Sequence, residues 1–107
     1  MLSTTQACVN AYTVELAKLT PHLMVNACTP GFIATDLVAP MAARSGKSMA
    51  ELGAETDTEK GTVAAVRLLL GQLQPGETGQ YYGSDGLRSP LHKYRSPGEP
   101  AYNGEFP

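Results

Sequence analysis

The sequence predicts an α/β fold: part of a doubly wound parallel sheet, built in the order helix, strand, loop, helix, strand. Three observations carry that reading. A helical stretch is closed off by Pro21. A short, nearly continuous apolar run, 23–28, follows it at once. The same pairing then recurs, with an apolar stripe from residue 56 leading to Gln80-Tyr81-Tyr82-Gly83. A helix feeding directly into a buried strand is half of a βαβ unit. A second such pair places the second strand parallel to the first through a right-handed crossover.

The chain has 107 residues, enough for one small domain, and 42% of them are hydrophobic, so a packed core is expected rather than disorder. Net charge is -2 with no basic run, which argues against a phosphate-neutralising nucleic-acid surface. No apolar stretch approaches the ~20 residues of a membrane span. The opening Met1-Leu2-Ser3-Thr4-Thr5 has neither a basic nor an apolar leader region, so no signal peptide and a cytoplasmic location are expected. Cys8 and Cys28 lack metal-type spacing. A disulfide between them is compatible with the sequence, but their apolar neighbours favour two buried free thiols.

The first helix is expected to start at Ser3, where Ser3 and Gln6 fit a capping box. Apolar residues from Ala7 through Val9, Tyr12, Val14, Leu16 and Leu19 crowd most of its sides, which predicts burial on more than one face. Glu15 and Lys18 form its polar edge, and Pro21 ends it. The strand 23–28 has the continuous apolar character of a parallel strand covered on both faces. It runs into Thr29-Pro30-Gly31-Phe32-Ile33-Ala34-Thr35-Asp36, a Pro-Gly exit followed by a hydroxyl residue. Pro30 has no N–H to pair and Gly31 has no Cβ, so backbone can come close to a ligand. Ligands of open α/β sheets sit beyond the carboxyl ends of the strands.

The segment 36–56 mixes Ala, Met, Gly and Ser. Short helices are expected near 41–43 and 48–52, and the segment suits either a lid or a plain surface loop. Met41 and Met49 are candidates for lining an apolar pocket. The second main helix is expected from Thr56, capped by Thr56 and Glu59 and carrying the stripe Val63, Val66, Leu69, Leu70 and Leu73. Gly71 suits a left-handed C-terminal position. After a turn through 74–79 comes the strand at 80–83. Residues 87–107 read as an irregular tail, expected to wrap a partner surface through Tyr94, Tyr102 and Phe106.

Ala7–Tyr12, then Val25-Asn26-Ala27-Cys28-Thr29-Pro30-Gly31-Phe32-Ile33-Ala34-Thr35-Asp36-Leu37, then Gly79-Gln80-Tyr81-Tyr82-Gly83-Ser84-Asp85-Gly86 resemble the C-terminal part of the short-chain dehydrogenase/reductase family, in a carbonyl-reductase-like form. The resemblance spans roughly residues 5–86 and gives the domain 1–86. It implies a Rossmann-like sheet and an NAD(P)-dependent oxidoreductase that moves a hydride to or from a carbonyl or alcohol. It places Pro30, Gly31 and Ile33 against the nicotinamide of NAD or NADP, with the Thr35 hydroxyl on the carboxamide or nearby phosphates.

The chain departs from the family in two ways. No Gly-rich fingerprint follows a first strand. Counted back from Ala7, the family's catalytic Tyr-x-x-x-Lys positions fall on Leu2 and Gln6, neither of which can act as a general acid or base. Tyr12 and Lys18 have the wrong order and separation to replace them, and Tyr12 is expected to pack. His22 and His92 are isolated, Ser84 and Asp85 have no histidine placed to complete a nucleophilic set, and neither cysteine has a basic neighbour. No catalytic residue and no metal site are therefore assigned.

Two strands and two main helices leave a bare sheet edge and apolar flanks. Val9, Val14 and Leu16 would each forgo roughly 1.5–3 kcal/mol if left in water, against a domain stability of only ~5–15 kcal/mol. The expectation is a C-terminal, truncated piece of such an enzyme, inactive alone and stabilised by a homo-oligomer or a full-length relative. The alternative is a non-catalytic regulatory module docking on such relatives.

Overall fold

In the computed structural model, residues 2–71 and 73–104 are described. The elements are helix α1 (Thr4–Leu19), strand β1 (Ala27–Cys28), helix α2 (Ala39–Ser45), a 3₁₀ turn (Thr58–Thr62), helix α3 (Val63–Leu69), and strands β2 (Tyr81–Tyr82) and β3 (Arg88–Ser89). The sheet is open and mixed, in the order β1-β2-β3. β1 and β2 are parallel, with Ala27 opposite Tyr81 and Cys28 opposite Tyr82.

α1 begins as its sequence requires. The Gln6 N–H donates to Ser3 Oγ at 3.2 Å and the Ser3 N–H donates to Gln6 Oε1 at 2.9 Å. It ends two residues before Pro21, with the Thr20 N–H on the Leu16 carbonyl. Its burial is the reverse of expectation. Asn10, Thr13 and Ala17 are buried, whereas Val9, Tyr12 and Leu19 are exposed. Asn10 is buried for a reason: its side-chain amide donates to the Leu91 carbonyl at 3.1 Å and ties the helix to the C-terminal segment. Tyr12, expected to pack, is 66% exposed.

The apolar run 23–28 does not form a doubly covered strand. Leu23 and Met24 are half exposed and only Ala27–Cys28 pairs as strand. At the lower end one backbone bond remains, from the Gly79 N–H to the Val25 carbonyl at 2.7 Å, and side chains supply the rest. The Val25 N–H donates to Thr78 Oγ1 at 2.9 Å, Asn26 Nδ2 donates to the Glu77 carbonyl at 2.8 Å, and the Gln80 N–H donates to Asn26 Oδ1 at 3.0 Å. Both cysteines are free and exposed, not buried as expected.

α3 starts later than expected. Asp57, not Thr56, caps the 3₁₀ turn, accepting from the Glu59 N–H at 3.1 Å. A short carboxylate two residues ahead satisfies that donor directly, so the Thr56–Glu59 box does not form. Gly71 is left-handed at φ 67°, as anticipated. Ala64 is buried, whereas Val63, Val66, Leu69 and Leu70 of the expected stripe are exposed. Between the main helices, only α2 forms; 48–52 is a turn closed by Ser48 and Glu51 bonding each other's N–H.

The segment read as an irregular tail supplies β3, antiparallel to β2. The turn Gly83-Ser84-Asp85-Gly86 makes the hairpin: the Gly83 N–H donates to the Leu87 carbonyl, and Asp85 Oδ1 accepts from the Leu87 N–H at 3.0 Å. The segment continues on this chain's own surface. The Tyr102 N–H bonds the Arg88 carbonyl at 2.9 Å, and the Arg88 guanidinium lies 5.2 Å from the Tyr102 ring centre. Phe106 lies outside the described residues. The radius of gyration is 15.0 Å, above the roughly 13 Å of a compact domain this long. No helix among the described residues is long and apolar enough to cross a membrane.

Candidate functional site

The candidate turn leaves β1 at the carboxyl end of the parallel pair. The Thr29 N–H still bonds the Tyr82 carbonyl at 3.0 Å, so the ladder runs up to the turn. The Thr29 hydroxyl then accepts from the Gly31 N–H at 3.2 Å, a side-chain turn that bends the backbone where Pro30 has no N–H to offer. Gly31 has φ 87°. A Cβ there would lie 2.8 Å from Ser84 Cβ. The missing side chain thus makes room for the β2–β3 hairpin.

Ile33 pairs with Glu55 in a parallel bridge: Ala34 N–H to the Glu55 carbonyl at 2.9 Å, Glu55 N–H to the Phe32 carbonyl at 2.8 Å. This clasp returns the long segment to the turn and stands α2 beside it. Thr35 is exposed, and its carbonyl accepts from the Val38 and Ala39 N–H groups at the start of α2.

The four sequence-assigned residues come together. Pro30, Gly31, Ile33 and Thr35 line one open cleft of about 470 Å³, walled on the far side by Val38 and Met41. Met41, a sequence candidate, reaches this cleft; Met49 is not among its lining residues. The lining is apolar side chains, backbone and the threonines 35, 58 and 62. Its chemistry suits a largely apolar ligand with threonine hydroxyls at hand.

Charge sits on the other flank of the turn, in a cleft of about 240 Å³ that Gly31 shares with Glu55, Lys60, Ser84, Asp85 and Pro97. Lys60 Nζ is 3.1 Å from Glu55 Oε2. The Asp57 N–H and the Lys60 ammonium hold the Glu55 carboxyl below its ordinary range. At a third flank, about 210 Å³ in size, Leu2 and Gln6 face Thr29, Gly31, Tyr81 and Tyr94. Burial pushes the Tyr81 phenol up, partly offset by a hydrogen bond with Thr29. Cys28 is exposed as a residue, yet partial desolvation of its thiol pushes it up, opposite to what activates a nucleophile.

Sequence reasoning missed Arg95. It is 5% exposed, is ion-paired with Asp85, and donates to the Ser96 and Glu99 carbonyls. A lone arginine in a Pro/Gly/Ser-rich stretch carries no burial signal. Asp85-Gly86 did carry a hairpin signal, and with it the turn that Arg95 braces. Among the described residues, no group of three His, Cys, Asp or Glu side chains could hold a metal ion.

Compared with known proteins, the chain matches no family model, no curated protein and no solved structure.

Proposed function

We propose that the chain is the C-terminal part of a short-chain dehydrogenase/reductase-like, NAD(P)-dependent oxidoreductase, binding the nicotinamide end of NAD or NADP at Pro30, Gly31, Ile33 and Thr35, and inactive as this chain alone. One observation carries the reading: those four residues converge on a single cleft beyond the carboxyl end of a strand in a parallel pair, where open α/β sheets bind ligands. Support comes also from Leu2 and Gln6, the positions matched to the family's Tyr and Lys, which meet the same turn at Thr29 and Gly31. Leucine and glutamine at those two positions cannot themselves hand a proton to a carbonyl oxygen.

The test is a titration of ¹⁵N-labelled chain with NADPH and with NADH, followed by amide shifts. Shifts clustered at Gly31, Ile33 and Thr35 are expected. Shifts that are absent or scattered at millimolar cofactor remove the cofactor turn. Turnover of carbonyl substrates by this chain alone removes the claim of inactivity.

A second reading, a non-catalytic module that docks on a second copy or a full-length relative, is favoured by the outer face of α1. Val9, Tyr12 and Leu19 share that face at helical spacing, and all are exposed. Co-purification with a full-length relative tests it. No complex at micromolar concentration counts against docking.

A further inference from the structure

We infer that Arg95 is a positioning residue for the candidate turn, a latch by which the C-terminal segment holds Gly31 in place from 64 positions away in sequence. The link is continuous. Arg95 is buried and pairs with Asp85 through Nη2, while its Nη1 donates to the Ser96 and Glu99 carbonyls. Asp85 also accepts from the Leu87 N–H, so the pair fixes the hairpin turn. The residue before Asp85 is Ser84, whose side chain fills the space a Cβ on Gly31 would need. Gly83 completes the fit: a Cβ on it would lie 3.0 Å from Arg95 Nη2. Gly31, Ser84, Asp85 and Pro97 line one cleft.

The latch is not an efficient source of stability. Arg95 Nε and Ser89 Oγ are buried without a hydrogen-bond partner among the described residues, and each such group costs free energy. Buried ion pairs are often matched or bettered by apolar residues of similar size. What an apolar residue cannot reproduce is the fork, which bonds in several fixed directions at once. Direction is what a turn with no regular secondary structure of its own needs.

This inference involves no cofactor, so its failure would leave the reading of the cleft intact. The test is amide hydrogen exchange on the full chain carrying Arg95→Met. Gly31 and Ala34, which lie in the turn, and Leu87, in the hairpin, are expected to exchange about tenfold faster or more, while α1 amides from Val14 to Leu19 are unchanged. Faster exchange at Leu87 with Gly31 and Ala34 unchanged overturns the latch. If Arg95→Met speeds α1 as well, the chain has unfolded globally. Arg95→Lys, which keeps the charge and loses the fork, is then read against the same two outcomes.

Discussion

Around β2 and β3 this chain buries large and polar groups together. Tyr81, Tyr82, Ser89 and Arg95 are almost fully enclosed, and the Tyr82 hydroxyl still bonds Glu77 and Gln80 at 3.1 Å. Along α1 and α3 the opposite holds. The buried positions are Asn10, Thr13, Ala17 and Ala64, while Tyr12 is 66% and Leu69 84% exposed. The two regions obey one rule seen from two sides. Close approach selects small residues at the contact, as at Ala17, whose Cβ would lie 3.3 Å from a Cβ on Gly79, so the large apolar side chains that give a helix its periodicity face outward. Periodicity reports that a face is meant to be covered; it does not say by what. Here the sheet end is finished within the chain and the helix exteriors are not.

The sharpest way to probe the finished region is Gly31→Ala. Its φ of 87° is unfavourable for alanine, and the new Cβ would meet Ser84 at 2.8 Å. A loss of about 3 kcal/mol is expected in urea unfolding, from backbone strain plus overpacking. Gly53→Ala is the control, because Gly53 has φ 84° with nothing within 4 Å. It should lose only about 1 kcal/mol, the strain alone. Equal losses would show that the hairpin does not press on the turn.

Ala64→Leu tests the contact rule itself. Ala64 is 2% exposed, and inserting three carbons there should cost about 1–3 kcal/mol. A neutral or stabilising result would mean that α3 has room beneath it, and that the outward leucines are not a consequence of close approach.

Asp85→Asn is expected to cost about 1–2 kcal/mol at neutral pH, since it leaves a buried guanidinium short of its counter-charge. Burial works to raise the Asp85 pKa, but the Arg95 hydrogen bond and charge and the Leu87 N–H outweigh it, and the carboxyl lies below its ordinary value. A depressed folded-state pKa gives stability that is fully present above the unfolded value, about 3.9, and is lost as pH falls through the folded one. Wild type and Asp85→Asn should therefore differ most at pH 7 and converge below about pH 4. A gap that stays constant down to acid would show that the pair contributes nothing through its charge.

Much of the local structure was legible in the sequence, because its causes are local. The Ser3–Gln6 box, the stop before Pro21 and left-handed Gly71 follow from chemistry a few residues wide, and the parallel β1–β2 pair from the helix-then-strand order and the crossover rule. The gathering of Pro30, Gly31, Ile33 and Thr35 was legible for the same reason, since all four sit on one short turn. What escaped depended on partners far along the chain. Asn26 and Thr78 shorten β1 by supplying side-chain bonds where a ladder was expected. Arg95 acquires its role from Asp85, and Asn10 is buried because Leu91 offers it a carbonyl. No periodicity encodes such pairings. The apolar stripes were read correctly as patterns that need cover; the error was in expecting Tyr12 to pack, where small residues such as Ala17 and Ala64 are the buried ones.

The smallest expected effect is the most informative about that error. Tyr12→Gln and Leu69→Gln remove large apolar groups from the two helix exteriors, and in an ordinary core either change would cost several kcal/mol. At 66% and 84% exposure each should instead move the stability of the isolated chain by less than about 0.5 kcal/mol. The same substitutions should lower self-association in sedimentation and the binding of an apolar dye, because they break up exposed apolar surface. A loss above about 2 kcal/mol for either one, measured at a concentration where the chain is monomeric, would place that residue inside a core. The contrast between a finished sheet end and uncovered helices would then fail at that helix. A near-zero change in stability with a clear drop in association would assign the outer stripes to an intermolecular contact.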